Sequence, residues 1–351
     1  MKFWSASTQK MLRTVVCVTL YFAHCLARMD CSFFNSTNMH CNSTIEHVDF
    51  PSNFPDFERV RGANIERIGS LSRQYKKISR GVDYAIIMPI FNAGTNAREP
   101  LKQLFQLTSG SWELLILFDA CTDDGKSLVE AQNIIFQYFG NSSCSRVTFF
   151  SSDTPLFESA AENVLMFSSK TNPRLAHILV QQDMVIFQEG WNRILYHPIK
   201  SHSNILALSA RCGHGFKLNY MVGKCGKDFH SPPKDLVKRQ YEVVQTDTVN
   251  RGPLLLNAKR KRELWYFDSF NFPFDGSDHD LMARSKQFNA TCAVVLHLNI
   301  YSPREYSASS GEHASKSQRD YLSGLLKKRR SNFRQYIESA PTFPSKLLQK
   351  F

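Results

Sequence analysis

The sequence predicts an α/β protein with a mostly parallel central sheet and helices on both faces. Short, almost continuous apolar runs alternate with helix-compatible segments, and such runs are typical of strands covered on both sides. Clusters rich in acids and amides directly follow several of these runs. The 351 residues are 42% hydrophobic and 21% charged, a balance that excludes a disordered, collagen-like or polytopic membrane protein.

Strands and helices alternate in order from about residue 82. The first predicted strand is residues 84–89, and a helix-compatible stretch follows over residues 97–107. Residues 126–139 have helical spacing of apolar side chains. Further strands are predicted at residues 113–118, 146–150, 177–181 and 205–209, and a further helix at 158–169.

Three polar clusters follow predicted strand ends. They are Phe91 with Asn92, residues 119–124, and Gln182 with Asp183. Because ligands of parallel α/β sheets bind beyond the carboxyl ends of the strands, the clusters predict one site at that edge. The sequence contains neither GxGxxG nor GxxxxGK[ST], so an ordinary dinucleotide or P-loop site is not supported.

Residues 1–27 are predicted to be a signal peptide or an uncleaved signal-anchor. Lys2, Lys10 and Arg13 precede about 14 mostly apolar residues, and the alternative is a buried helix. Cleavage would give a secreted protein, and retention a single-pass type II membrane protein attached through its N-terminus. Sequons at Asn35, Asn42, Asn141 and Asn289 also favour the secretory pathway lumen, in the Golgi or endoplasmic reticulum.

Seven cysteines lie outside this segment. Cys31 with Cys41, and Cys212 with Cys225, could close small disulfide loops in an oxidising lumen, with at least one thiol left over. The segment from Cys212 to His230 could alternatively bind zinc, although its spacing matches no zinc pattern.

The flanks of the chain differ from its middle. Residues 28–80 are predicted to be a stem because they contain two sequons and two prolines and lack sustained periodicity, whereas residues 81–305 are predicted to form the main α/β domain. Residues 306–351 form a basic tail: from Lys316 onward nine basic and two acidic residues carry +7 of the net charge of +12. Such a tail is typical of a solvated or membrane-facing surface, and charge alone does not indicate a nucleic-acid partner. Residues 259–262 could likewise be a nuclear signal, but we expect a surface face or an acceptor-side patch.

Four sequence blocks occur in a fixed order within about residues 82–300. They are AIIMPIFN at 85–92, LILFDACTD at 115–123, LVQQDM at 179–184 and GSDHDLMAR at 276–284. In this order they resemble the Pro-x-Tyr-Asn, Asp-Asp-Gly-Ser-Thr-Asp, Asp-x-Asp and Glu-Asp-x-Asp-Leu-x-x-Arg blocks of family 2 glycosyltransferases of the nucleotide-sugar-dependent GT-A type. Residues 250–256 are similar to that family's loop and strand on the acceptor side.

The resemblance implies a Rossmann-like GT-A fold and a UDP- or GDP-linked sugar donor. Phe118 replaces the usual first aspartate of the second block. The alternatives are that Phe91 is a core aromatic residue and that residues 119–125 form an Asx-type turn. The residues implied to bind the donor are Pro89, Phe91, Asp119, Asp123 and Gln182.

The resemblance also implies a Mn²⁺ or Mg²⁺ ion held by Asp183, with His297 as a further contact. Gln181 stands where the first aspartate of Asp-x-Asp would be, so Asp183 is the one carboxylate of its block. A single carboxylate suffices if diphosphate and water oxygens complete the coordination. The alternative for Asp183 is a cap on the next helix.

An inverting transfer needs one general base, which the resemblance places at Asp278, with Ser277 replacing the family's glutamate. Asp280 is expected to orient its loop or to pair with Arg284 one helical turn away. The acceptor-side residues are Arg251, Gly252, Asp280 and Arg284. The predicted function is inverting transfer to a hydroxyl of a glycan, glycoprotein or lipid. The alternative is a catalytically silent GT-A-fold protein that binds nucleotide sugar or glycan.

Overall fold

The computed structural model describes most of the predicted catalytic domain and parts of its flanks. The described residues are 31, 39–73, 82–169, 176–210, 243–246, 249–264, 266–270, 277–295, 298, 300–301 and 346–349. The predicted signal at 1–27, together with Cys212, Cys225 and His297, lies outside them. No helix in the described part of the chain is long and apolar enough to cross a membrane.

The strands and helices follow one another in the order that the sequence predicts. The strands are β1 (Met39–Asn42), β2 (Glu46–His47), β3 (Glu66–Arg73), β4 (Tyr84–Ile90), β5 (Trp112–Asp119), β6 (Cys144–Ser152), β7 (Ala176–Leu179), β8 (Val185–Ile186), β9 (Ile205–Ser209), β10 (Val243–Thr246), β11 (Leu254–Asn257), β12 (Thr291–Val295), β13 (Ile300–Tyr301) and β14 (Lys346–Gln349). The helices are α1 (Phe57–Gly62), α2 (Arg98–Leu107), α3 (Lys126–Tyr138), α4 (Phe157–Ser168), α5 (Trp191–Ser201), α6 (Ala258–Leu264) and α7 (Ser277–Ser285).

The domain is built around one mixed β-sheet. Its strand order is β1-β3-β6-β5-β4-β7-β11-β9-β12-β10-β14, with β2 beside β3. The central strands β6, β5, β4 and β7 are parallel, while β3 and β11 flank them in the antiparallel direction. Strands β8 and β13 form a separate antiparallel pair. The predicted α/β class with a mostly parallel central sheet is confirmed.

Apolar side chains alternate between the two faces of the central strands. Along β4, Ile86 and Met88 lie in one core, and Ala85 and Ile87 lie in the other. The first core packs against α2, α3 and α5, and the second against α1, α4 and α7, so helices cover both faces as predicted. Burying a large aliphatic side chain contributes about 1.5–3 kcal/mol, and a register slip would turn each one to the wrong face.

Part of the predicted stem belongs to the sheet. Strand β3 pairs with β6 from Glu66 opposite Ser151 to Ser72 opposite Arg146. Leu71 of β3 and Val60 of α1 are buried in the two cores. The sequence of β3, ERIGSLSR, hides this role because serine, glycine and charged residues occupy most of its positions. The described residues 57–73 are therefore packed against the central sheet.

The two basic segments are also partly structured. Residues 346–349 of the predicted tail form β14, which pairs with β10 at the edge of the sheet. Residues 259–262 lie in α6, where Arg260 donates to the Ser203 carbonyl and Lys261 is only 9% exposed. The expected surface face thus holds for only part of this run, because Lys261 turns inward over the Tyr266 ring at 4.6 Å.

The predicted disulfide between Cys31 and Cys41 is present, with their Cα atoms 5.6 Å apart. Among the described residues, Cys121, Cys144 and Cys292 are not disulfide-bonded, and Cys144 and Cys292 are buried. Burial raises the pKa of the Cys144 thiol, so it behaves as a core residue.

Candidate active site

The carboxyl ends of β4 and β7 are joined by the side chain of Gln182. Its Oε1 accepts a hydrogen bond from the Phe91 backbone N–H at 2.6 Å, and its Nε2 donates to the Phe91 carbonyl at 3.0 Å. Gln182 is 7% exposed, so its amide is occupied by this backbone pair. Gln182 therefore fixes the position of Phe91, which is half-buried beside the half-buried Pro89.

The loop after β5 is tied to the loop after β4 by Asn92. The Thr122 backbone N–H donates to Asn92 Oδ1 at 2.6 Å, and Asn92 Nδ2 donates back to Thr122 Oγ1 at 3.0 Å. Asn92 has a φ of 45°, a left-handed conformation that asparagine tolerates better than most residues. The two loops consequently form one surface at the sheet edge.

Asp119 lies at the predicted edge, but its carboxylate faces the protein. Oδ1 accepts hydrogen bonds from Ser152 Oγ at 3.0 Å and from the Leu156 N–H at 2.7 Å, while Oδ2 accepts from the Phe157 N–H at 2.8 Å. Burial raises the pKa of Asp119, and these hydrogen bonds oppose that shift. Asp119 thus holds the start of α4 against the end of β5.

Asp123 has one occupied and one free carboxylate oxygen. Its Oδ2 accepts from both the backbone N–H and the hydroxyl of Ser127, and so caps the first turn of α3. In the described part of the chain its Oδ1 is buried without a hydrogen-bond partner. A cavity of about 520 Å³ opens here, lined by Asn92, Gly94, Asn96, Asp123, Lys126 and Glu130 among others.

The turn after β7 carries Gln181 and the half-buried Asp183. Gln181 Nε2 donates to Glu158 Oε1 at 2.7 Å. The loop before β11 packs directly on this turn, because a Cβ on Gly252 would lie 2.5 Å from Met184 Cε and 2.9 Å from Gln181 Oε1. Gly252 has a φ of +89°, a backbone conformation that favours glycine, and an added Cβ would also displace the ends of the Met184 and Gln181 side chains.

A buried polar network lies beneath this edge and is centred on Arg251, which is 5% exposed. Arg251 Nε donates to Glu162 Oε2 at 2.9 Å, and Nη1 contacts Glu158 Oε2 at 3.5 Å. Its Nη2 donates to Ser159 Oγ at 3.1 Å and to Ser277 Oγ. The guanidinium that was predicted on the acceptor side is therefore directed into the interior.

The network shifts the ionisation of its members. Burial raises the pKa of Glu162 well above its ordinary value, and the charge of Arg251 opposes this. Burial also raises the pKa of Glu158, and the charges of Asp278 and Asp183 add to the rise. Burial alone would lower the pKa of Arg251, but the carboxylates of Glu158, Glu162 and Asp278 raise it, so Arg251 remains a cation.

Helix α7 brings Asp278 next to the buried network around Arg251. Its first residue, Ser277, is fully buried and accepts a hydrogen bond from Ser159 Oγ at 2.8 Å, while Asp278 is 6% exposed. Asp280 Oδ2 accepts from Arg284 Nε at 2.8 Å, which is the predicted pairing, and Arg284 also donates to the Tyr266 carbonyl. The structure thus gathers Asp183, Asp278 and Glu158 at one edge.

A divalent cation fits this edge only together with a ligand. In the part of the chain that the structure describes, no group of three or more His, Cys, Asp or Glu side chains is placed to hold a metal ion. Asp183 can supply a carboxylate oxygen, and Mg²⁺ commonly takes one or two carboxylates with substrate phosphates and water. The residues therefore fit an ion shared with a diphosphate.

Comparison with known proteins gives distant likenesses. No protein-family model and no curated protein matches the chain. Among solved structures it is similar to S. aureus TarS (14% identity, 63% of this chain and 36% of that one, TM-score 0.42). It is also similar to GalNAc-T7 with UDP, GalNAc and Mn²⁺ (13% identity, 64% of this chain and 45% of that one, TM-score 0.47). A third similar structure is the mannosyltransferase PcManGT of Pyrobaculum calidifontis with GDP-Man and Mn²⁺ (11% identity, 76% of this chain and 67% of that one, TM-score 0.44). The chain spans about a third to a half of the first two, and likeness at this level does not assign an activity.

The sequence did not indicate the acidic residues of α4. Glu158 and Glu162 lie four residues apart on a helix whose remaining positions are largely buried, so both project from one face. Two carboxylates on such a helix require a buried cation, and that pattern could have pointed to Arg251.

Proposed function

We propose that the protein is a glycosyltransferase of the GT-A, family 2 type that transfers a sugar from a UDP- or GDP-linked donor to an acceptor hydroxyl with inversion. One observation carries the proposal. Asp183, in the turn after β7, and Asp278, at the start of α7, are tied to the same buried network: Gln181 donates to Glu158, and Arg251 contacts both Glu158 and Ser277. Inverting transfer requires a leaving-group site and a general base near the same anomeric carbon, and the shared network holds the two candidates at one edge of the sheet.

In the proposed reaction, the donor base lies over Phe91 and its diphosphate faces Asp183. Asp278 takes the proton of the acceptor hydroxyl as that oxygen forms its bond to the anomeric carbon. The bond from the anomeric carbon to the diphosphate oxygen breaks, and the nucleoside diphosphate leaves with the electron pair. A bound Mn²⁺ or Mg²⁺ would supply Lewis-acid neutralisation of that charge, with Asp183 as its protein ligand and His297 as a further candidate.

The test is turnover of UDP- and GDP-sugars with candidate glycan, glycopeptide and lipid acceptors, with Mn²⁺ and with a chelator. Asp183→Ala and Asp278→Asn should each abolish transfer. Asp49→Asn, whose side chain is 96% exposed, serves as the matched control and should transfer at the wild-type rate. Turnover that survives in either site variant would remove the assigned role of that residue.

A silent sugar-binding protein is the second candidate, and Gln181 favours it. The amide stands where the family's first aspartate would be, and it is hydrogen-bonded to Glu158. This candidate predicts donor binding by calorimetry without product, with every acceptor offered. Product formation by the wild type that is lost in Asp278→Asn would exclude it.

We also propose that the protein works in the secretory pathway lumen. The Cys31–Cys41 disulfide is of a kind that persists in oxidising compartments, and the sequon residues Asn141 and Asn289 are exposed. Expression in secretory cells should give a protein whose mobility shifts on glycosidase treatment. A fully reduced, unglycosylated protein recovered from the cytosol would contradict this location.

A further inference from the structure

Arg251 connects the two sides of the candidate site. Its three guanidinium nitrogens bind α4 and the first residue of α7, and its own loop packs on the turn that carries Asp183. We propose that Arg251, held by Glu162, is a positioning residue: it sets the place of Asp278 relative to Asp183 and does not contact the acceptor. This inference rests on the proposed function and adds a residue that acts through both carboxylates.

The connection to Asp278 runs through Ser277. Ser277 begins α7, is 0% exposed, and accepts hydrogen bonds from Arg251 Nη2 and Ser159 Oγ. Ser159 is also 0% exposed and accepts from the same Nη2 at 3.1 Å. Two buried hydroxyls and one cation thus fix the residue that precedes Asp278. In a low-dielectric interior such bonds are stronger than at the surface.

The connection to Asp183 runs through Glu158 and Gly252. Glu158 Oε2 contacts Arg251 Nη1, while its Oε1 accepts from Gln181, two residues before Asp183. Gly252 follows Arg251 directly and lies against Gln181 and Met184. Displacing the guanidinium would therefore loosen both the turn that carries Asp183 and the start of α7.

The geometry requires arginine rather than any cation. The three guanidinium nitrogens contact four side chains, and the guanidinium carbon lies 4.8 Å from the centroid of the Phe267 ring. Asn163 of α4 holds Phe267 through a reciprocal pair of hydrogen bonds to its backbone at 2.9 and 3.0 Å. Lysine would keep the charge but has one nitrogen and no planar fork.

The experiment compares Arg251→Met and Arg251→Lys with wild type in the full chain. The control is Arg146→Met, which breaks another Arg–carboxylate pair whose partner, Glu113, is 1% exposed and lies away from the site. Steady-state kinetics give kcat and both KM values, and hydrogen exchange follows the amides of α7. We expect Arg251→Met to lower kcat about 10²-fold, as misplacement of a catalytic group by about 1 Å does, with KM values near wild type.

We also expect Arg251→Lys to recover part of kcat, and α7 to exchange faster in Arg251→Met but not in Arg146→Met. A raised acceptor KM with unchanged kcat would make Arg251 an acceptor contact and overturn the proposal. Exchange in α7 equal to that of Arg146→Met would overturn it as well. If the wild type transfers no sugar, the proposed function fails, yet the exchange comparison still decides whether Arg251 positions α7. If Arg251→Met does not fold, Glu162→Gln replaces it in the experiment, because glutamine keeps the shape of Glu162 but removes the carboxylate charge. The same loss of kcat and the same faster exchange in α7 are then expected.

Discussion

Gly252→Ala is expected to destabilise the protein and to displace the turn that carries Asp183. A Cβ at this position would lie 2.5 Å from Met184 Cε, 2.9 Å from Gln181 Oε1 and 3.0 Å from Met184 Sδ. Holding a non-glycine residue at a φ of +89° costs about 1–2 kcal/mol, and inserting a methyl group into a filled space costs about 1–3 kcal/mol. The free energy of unfolding should therefore fall by about 2–5 kcal/mol.

The assay is urea unfolding followed by circular dichroism, with donor binding measured by calorimetry on the folded variant. Gly125→Ala is the matched control, because Gly125 has a φ of +76° but no atom within 4 Å of its added Cβ. The free energy of unfolding of Gly125→Ala should fall only by the backbone cost of about 1–2 kcal/mol. Combining Gly252→Ala with Met184→Ala should cost less than the sum of the single variants, since the closest contact is then absent. Equal losses for Gly252→Ala and Gly125→Ala would refute the close packing of the two loops.

Three further predictions follow from buried polar groups. Asp119→Ala should lower the free energy of unfolding by about 3–5 kcal/mol, measured by urea titration, because three donors lose their acceptor. Gln182→Glu should weaken nucleotide binding in calorimetry, because a carboxylate oxygen would replace the Nε2 donor that faces the Phe91 carbonyl. Lys261→Met should stabilise the protein at pH 7, since burial lowers the pKa of Lys261 to about 7 from an unfolded value of 10.5. The unfolded state then binds more protons between these values, so the wild type gains stability as the pH rises and the advantage of Lys261→Met should shrink from pH 7 to pH 9. An equal stabilisation by Lys261→Met at pH 7 and pH 9 would contradict the lowered pKa of Lys261.

The central strands could be predicted because they are buried on both faces. Residues 113–118 are apolar at almost every position, and the structure places Trp112–Asp119 at the centre of the sheet. Strand β3 escaped prediction for the opposite reason. It lies beside the edge, only some of its positions face a core, and its glycine and serines interrupt the alternation that marks a half-buried strand.

The site could be predicted as a place but not as a set of contacts. The strand order brings the segments after β4, β5 and β7 to one edge, and this much follows from the alternation of strands and helices. Whether an acid there faces a ligand or caps a helix depends on tertiary neighbours. Asp119 binds the start of α4, and Gln182 binds the backbone of Phe91, with nothing in the sequence to distinguish these outcomes.

At three positions the chain lacks an acid that the family 2 pattern it resembles would have, and the surrounding structure accommodates each residue present. Phe118 is 5% exposed and belongs to the apolar core, so no polar contact is left open at its position. Gln181 donates to Glu158 at 2.7 Å, and Ser277 accepts from Arg251. A glutamate at 277 would add a further carboxylate beside an arginine that already contacts Glu158 and Glu162 and is influenced by Asp278, whereas a small hydroxyl adds no charge.

Gln181 and Ser277 are therefore connected through Arg251, Gln181 by way of Glu158 and Ser277 directly. Restoring a single family residue, as in Ser277→Glu, should place an unneutralised charge in the interior and lower stability by a few kcal/mol. A site that had merely lost its acids would tolerate the change, because no buried network would oppose it. Urea unfolding of Ser277→Glu distinguishes a reorganised site from a decayed one, and the contacts of Arg251 favour reorganisation.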